Sequence, residues 1–174
     1  DLNIGDYWQL RYISNTSNGN VNANSKTTKV AVGTRYAGVY EVVESYYWNS
    51  GNLQGGDWNG SEVIIESVNA TIYRHKGLAY WDDNVYYFTV DNVTNVITAL
   101  DVDLDDVGNT LNGSPMMTCF GGTGSFESIT CDNTTSIATP NDVTGADQLE
   151  FTVGYFRGVG ATREFSERMI KLVD

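Results

Sequence analysis

The sequence predicts an all-β chain: a single domain over residues 1–174, folded as an antiparallel β-sandwich of jelly-roll or immunoglobulin-like kind with about ten strands. Three observations carry that expectation. Val, Ile, Thr, Tyr, Phe and Trp gather in short runs bounded by Gly, Asn, Asp and Ser, which is the punctuation of strands and turns. The longest candidate helix, residues 61–76, is built on Val63, Ile64, Ile65, Val68, Thr71 and Ile72, and such β-branched side chains lose rotamer freedom in a helix. A hydrophobic fraction of 41% with only two prolines suits a packed globule, and a chain of this length buries about two thirds of its unfolded surface.

Residues 5–13 (GDYWQLRYI) alternate, with Trp8, Leu10 and Tyr12 on one side, and read as a first strand. Residues 14–25 are almost wholly Ser, Asn, Thr and Gly and read as a long loop. A second strand is expected over 26–32. Residues 36–48 (YAGVYEVVESYYW) carry bulky groups on both alternating faces: Tyr40, Val42, Tyr46 and Trp48 on one, Val39, Val43 and Tyr47 on the other. That pattern predicts a central strand covered on both sides, with Glu41 and Glu44 limiting the cover because an unpaired buried carboxylate is costly.

Residues 61–76 read as one strand with a bulge near Asn69. A tight hairpin at Asp82, Asp83 and Asn84 is expected to join 78–81 to 85–90. Further strands are expected at 94–104, at 115–120 and 126–131 around a glycine turn, and at 149–157, with a polar connection over 134–147. In the last segment, residues 162–173, Phe165, Met169, Leu172 and Val173 also fit a helical period. A closing strand is the better reading, because everything before it is extended.

The net charge of −12 is concentrated: no Lys or Arg lies between Lys76 and Arg157, a stretch that holds twelve Asp and Glu, while the other ten acids are matched by all ten basic residues. Such a field repels nucleic acid and anionic lipid. No run of about 18 apolar residues exists to form a transmembrane helix. Cys119 and Cys131 are the only cysteines and predict a disulfide across a small loop, hence an extracellular, cell-surface or periplasmic location. Six Asn-x-Ser/Thr sequons, at Asn15, Asn59, Asn69, Asn92, Asn112 and Asn133, fit a surface glycoprotein. The chain begins at Asp1 with neither Met nor a leader pattern, as a processed N-terminus does.

Two constellations point to chemistry. Tyr46, Tyr47, Trp48 and Trp58 are interleaved with Asn49 and Asp57 around a Gly/Asn-rich loop; aromatic rings stack on the C–H faces of sugars while amides and carboxylates bind their hydroxyls. The alternative is that the rings cap the open end of the core. Asp101, Asp103, Asp105 and Asp106 begin like a calcium loop, but the sixth position is Asp106 rather than Gly and the twelfth is Asn112 rather than Glu. Leu100, Val102 and Leu104 alternate with the acids as in a strand with a solvated acidic stripe. His75, alone between Arg74 and Lys76, reads as a solvated turn residue.

No nucleophile, zinc or phosphate-loop signature is present, and no cofactor is required, calcium being the one possible ion. The leading expectation is a non-enzymatic adhesion module that binds a glycan or a surface protein. The alternatives are a filament subunit assembled through strand exchange with its own kind, and a carbohydrate-active enzyme using two of its many carboxylates. The calcium reading is checked by melting the protein with and without chelator, since an ion bound only to the native state raises its melting temperature.

Overall fold

The computed structural model describes residues 7–10, 13–17, 19–22, 28–31, 33–78, 81–100, 108–119, 126–132, 135–157 and 161–173. Among them every regular element is a strand: β1 (Tyr7–Leu10), β2 (Ile13–Thr16), β3 (Gly19–Asn22), β4 (Thr28–Ala31), β5 (Gly38–Asn49), β6 (Asn52–Gly55), β7 (Glu62–Ser67), β8 (Ile72–Leu78), β9 (Trp81–Val90), β10 (Ile97–Ala99), β11 (Thr110–Leu111), β12 (Ser114–Thr118), β13 (Ile137–Thr139), β14 (Gln148–Phe156) and β15 (Thr162–Lys171). Eleven of them form one antiparallel sheet in the order β10-β9-β8-β7-β5-β15-β14-β12-β11, with β6 beside β5 and β13 beside β14. The all-β, antiparallel expectation holds. The sheet curls into a half-barrel, and a sandwich of two stacked sheets is not confirmed.

Alternation along the strands places one apolar row of each on the concave side. Tyr40, Tyr86, Phe88, Phe151, Phe165 and Met169 are fully buried there, each contributing about 1.5–3 kcal/mol of burial. Phe151 meets Phe88 edge-on at 4.9 Å between ring centroids, and Tyr73 stacks on Phe88 at 5.3 Å. The curl brings distant strands together: Val96 bridges Ile137, Ile97 N–H donates to Ser136 O, and Ala138 N–H donates to Asn95 O. β10 therefore meets β13.

One β-bulge explains why residues 36–48 look apolar on both faces. On β15, Arg168 pairs with Glu44 but Met169 pairs with Val42, so Val43 is an extra residue in β5. The insertion changes the parity of the strand. Before it, Tyr40 and Val42 point inward; after it Ser45 and Tyr47 do, and Glu44, Tyr46 and Trp48 are turned outward. The sequence reading, with unbroken alternation, had put Tyr40 and Tyr46 on one face.

The outer face of β14 and β15 has a cover of its own. Glu164, fully buried, accepts backbone N–H bonds from Glu127 at 2.7 Å, from Ser128 at 3.0 Å and from Ile129 at 3.2 Å. Nearby, Thr162 donates to Glu127 and the Phe126 ring lies over Gly154, where an added Cβ would also meet Arg163 O at 2.5 Å. The same segment is tied to the end of β12 by the Cys119–Cys131 disulfide, which forms as expected. Residues 126–131 are thus held down as a covering loop and are not the strand expected from sequence.

Other boundaries also move. Residues 14–25 contain the paired strands β2 and β3 in place of a loop, and 61–76 is two strands, because the Asn69 side chain accepts the Thr71 and Ile72 N–H groups and turns the chain. Leu78 pairs with Trp81, so the hairpin turns before Asp82, and Asp82, Asp83 and Asn84 lie inside β9. The connection 134–147 includes β13. Residues 162–171 are a strand, as read. Asp101, Asp103, Asp105 and Asp106 lie outside the described residues, as do Asn133 and the glycine run 121–125.

Replacing Glu164 by Gln leaves one acceptor oxygen for amides that now use both. The expected outcome is a loss of about 2–3 kcal/mol in denaturant unfolding, with hydrogen exchange accelerated at the 127–129 amides more than at the amides of β15.

Candidate functional site

The interior holds a polar cluster where the sequence predicted none. His75 on β8 is fully buried and its Nε2 is hydrogen-bonded to Glu167 Oε1 at 2.8 Å. Alternation explains it: Tyr73 and His75 point in, while Arg74 and Lys76 point out, both pairing with Glu66 across the strand. Trp58 is also buried, and its indole N–H donates to the other oxygen, Glu167 Oε2, at 3.1 Å. His75 stacks on Tyr86 at 4.5 Å and meets the Phe151 edge at 5.2 Å.

Two expectations are corrected here. His75 is a core residue, not a solvated turn. Trp58 is not an exposed loop aromatic: after β6 the chain folds back along β5, with Gly60 N–H donating to Val42 O and Val42 N–H to Ser61 O, and drops the indole beside Phe165. Gly56 is required for that close return, since a Cβ there would fall 1.7 Å from Ser45 O.

Removing Trp58 from the aromatic constellation leaves a smaller outward platform. Tyr46 and Trp48 sit two residues apart on the outer face of β5, with ring centroids 5.7 Å apart and planes inclined by 33°. Leu53 of β6 is 58% exposed beside them, at the position paired with Trp48. The Tyr46 hydroxyl donates to Glu44 Oε1 at 2.6 Å, and Arg168 binds Glu44 Oε2 through Nε at 2.9 Å and a second nitrogen at 2.6 Å. A shallow depression of about 460 Å³ lies next to the Tyr46 ring, bordered by Glu44, Tyr46, Leu53, Gly56, Asn59 and Arg168.

The Tyr46 hydroxyl and then the Arg168 guanidinium hold the Glu44 carboxyl below its ordinary value, while the same carboxylate raises the Tyr46 phenol. Since the folded value of Glu44 lies below the unfolded one, its small, solvent-screened contribution is complete above the unfolded value and fades as pH falls through the lowered one. At neutral pH the depression therefore offers a carboxylate, a guanidinium and a phenol already ordered by one another.

Of the residues read as a glycan site, Tyr46 and Trp48 come together on this platform. Asn49 is half-buried at the end of β5 and accepts from Ser50 Oγ, and Asp57 is exposed on the returning loop. Tyr47 points the other way and stacks on Phe165 at 4.9 Å. Glu44 and Arg168, which the sequence reading did not assign to the site, complete the set. Among the described residues no cluster of three or more His, Cys, Asp or Glu has the arrangement of a metal site.

Glu164 and Glu167, the most buried carboxylates, are both committed to protein donors and sealed from solvent. No protein-family model matches this chain, and neither a curated protein nor a solved structure aligns with it. Among the described residues no helix is long and apolar enough to cross a membrane.

Truncating Glu167 to Ala strands His75 and the Trp58 N–H inside the core, and a loss of about 3–5 kcal/mol is expected. Trp58→Phe keeps a smaller aromatic ring in the core and removes one donor, so a smaller loss of about 1–3 kcal/mol is expected in the same denaturant titration.

Proposed function

We propose that this protein is a non-enzymatic binding module of an extracellular, cell-surface or periplasmic setting, and that it takes a neutral glycan on the Tyr46–Trp48 platform. The observation that carries the reading is the outward pair of rings beside an ordered carboxylate and guanidinium. Sugar rings present apolar C–H faces ringed by hydroxyls, and such a surface offers flat aromatic area next to groups that both accept and donate hydrogen bonds. The rings sit on strand residues of a packed sheet, so they lose little freedom on binding. A net charge of −12 disfavours acidic polysaccharides and leaves neutral ones as the better fit.

The location rests on two supports. The Cys119–Cys131 disulfide belongs to an oxidising compartment, and the acid-rich middle of the chain keeps such a protein soluble.

Titration against a panel of neutral polysaccharides tests the reading. Trp48→Ala is expected to weaken binding by at least about 2 kcal/mol, roughly thirtyfold, with only a modest fall in melting temperature, because the ring is half-buried but lies outside the core cluster. Trp58→Phe, inside the core, is expected to lower stability and leave the affinity of the folded fraction alone. Full binding by the Trp48→Ala protein ends the proposal.

A further inference from the structure

The sequon residues differ in what their side-chain amides do. Asn112 spends its Nδ2 on the Tyr155 hydroxyl at 3.1 Å, and Asn69 uses its Oδ1 to cap the Thr71 and Ile72 N–H groups. Asn59 is arranged otherwise. It is exposed on the tight return after β6, and its Oδ1 accepts from Ser45 Oγ at 2.7 Å, a side chain only 4% exposed. The amide is thus pinned to the packed sheet through its oxygen, and its Nδ2 has no partner among the described residues.

The rest of that sequon, Asn59-Gly60-Ser61, is fixed as firmly. Gly60 N–H donates to Val42 O at 2.7 Å, and the Ser61 hydroxyl donates to Trp58 O at 2.6 Å. Among the described residues Asn59 is also the sequon residue that borders the Tyr46 depression, together with Leu53, Glu44 and Arg168. At about 460 Å³ it falls within the range of small-ligand sites, about 300–1,000 Å³. A sugar bonded to Asn59 would start in that space. Its C–H face would meet the Tyr46 ring and Leu53, and its hydroxyls the Glu44 and Arg168 groups. Being tethered, it would bind at a high effective concentration.

We propose that Asn59 is an N-glycosylation site and that the first sugars of its glycan fill the Tyr46 depression, so that an outside glycan has to displace the chain's own. The donor is a lipid-phosphate-linked oligosaccharide: the bond from Nδ2 to the anomeric carbon forms as that carbon's bond to the phosphate oxygen breaks. Nδ2 gives up one proton, the lipid phosphate leaves, and nothing is oxidised or reduced. Because the Gly60 N–H and the Ser61 hydroxyl are committed in the native fold, the transfer belongs to the chain before it folds. The Cys119–Cys131 disulfide agrees with passage through an oxidising compartment. Attachment stands apart from the sugar-binding reading of the platform, and the docking of the attached sugar rests on it.

The test uses the full chain secreted by a cell that N-glycosylates, beside Ser61→Ala, which removes the sequon but keeps the Ser45–Asn59 bond, and Ser61→Thr, which keeps the sequon. Cleavage with an amide-hydrolysing glycosidase in heavy-oxygen water is expected to label position 59 in the native chain and in Ser61→Thr, and not in Ser61→Ala. Nuclear Overhauser contacts are expected between the attached sugar and the Tyr46 ring. A depression left open about a tenth of the time lowers apparent affinity about tenfold, so Ser61→Ala is expected to bind neutral polysaccharide about tenfold more tightly than the glycosylated chain. An unlabelled position 59 in the native chain, an attached sugar without contacts to Tyr46, or equal measurable affinities of the native and Ser61→Ala proteins would each overturn the proposal. Label and contacts present, with no polysaccharide bound by Ser61→Ala, would end the outside-ligand reading and support a platform that serves the chain's own glycan.

Discussion

A single carboxylate, Glu167, ties together three parts of the molecule that are not neighbours in the sheet. It sits on β15, is hydrogen-bonded to His75 on β8, and accepts from Trp58 on the loop after β6. Two strands, β7 and β5, lie between β8 and β15, so the His75 bond is a chord across the curl, and its 2.8 Å length limits how far the sheet can flatten. A buried polar pair of this kind is weak evidence for added stability, since apolar groups of equal size are often as good. Its value is specificity. A slip of one residue in either strand would turn His75 or Glu167 to the opposite face and leave the other unpaired in a core of Phe, Tyr and Met.

The extra residue at Val43 acts on the same scale. Had the alternation of β5 continued unbroken, Tyr46 and Trp48 would follow Tyr40 and Val42 into the interior, and Tyr47 would be left outside. With the bulge, Tyr47 completes the core against Phe165, and the two larger outward groups become available to a ligand. The indole of Trp58, ten residues later, fills interior space instead. The core and the platform are thus two products of one local irregularity.

How much of this could be read from the sequence follows from the range of each signal. Strand content, the closing strand β15 and the disulfide are written in local composition and spacing, and they were legible. Alternation also marks the inward residues: Tyr73 and His75 share a parity from which Arg74 and Lys76 are excluded, and Phe165, Glu167 and Met169 share another. Reading His75 by its charged neighbours, rather than by alternation, placed it in solvent. The matched turns Asp91-Asn92-Val93-Thr94-Asn95 and Asn141-Asp142-Val143-Thr144-Gly145 were also visible as text. In each the first side chain caps the third and fourth N–H groups, and the fifth residue has a positive φ. The bulge was not legible, because two opposed parities in one run look the same as a strand buried on both faces. Nor was the inward turn of Trp58, which depends on Gly56 passing close to Ser45, a contact that no local pattern encodes.

The covering loop at residues 126–131 bears on the platform through the register of β15. Glu164, which holds that loop by its backbone amides, is directly opposite Trp48, and both are on the convex side of the sheet. The covered part of the surface therefore begins one strand away from the half-buried Trp48 indole. A disulfide at one end of the loop and a buried carboxylate beneath it fix where the cover stops. Rigid support next to an outward-facing ring matters for a weakly held, flexible ligand such as a sugar chain, because binding energy is not then spent on ordering the receptor. In the proposed module, Glu164 and the disulfide would shape affinity without touching the ligand, by keeping the boundary of the Trp48 surface in one place.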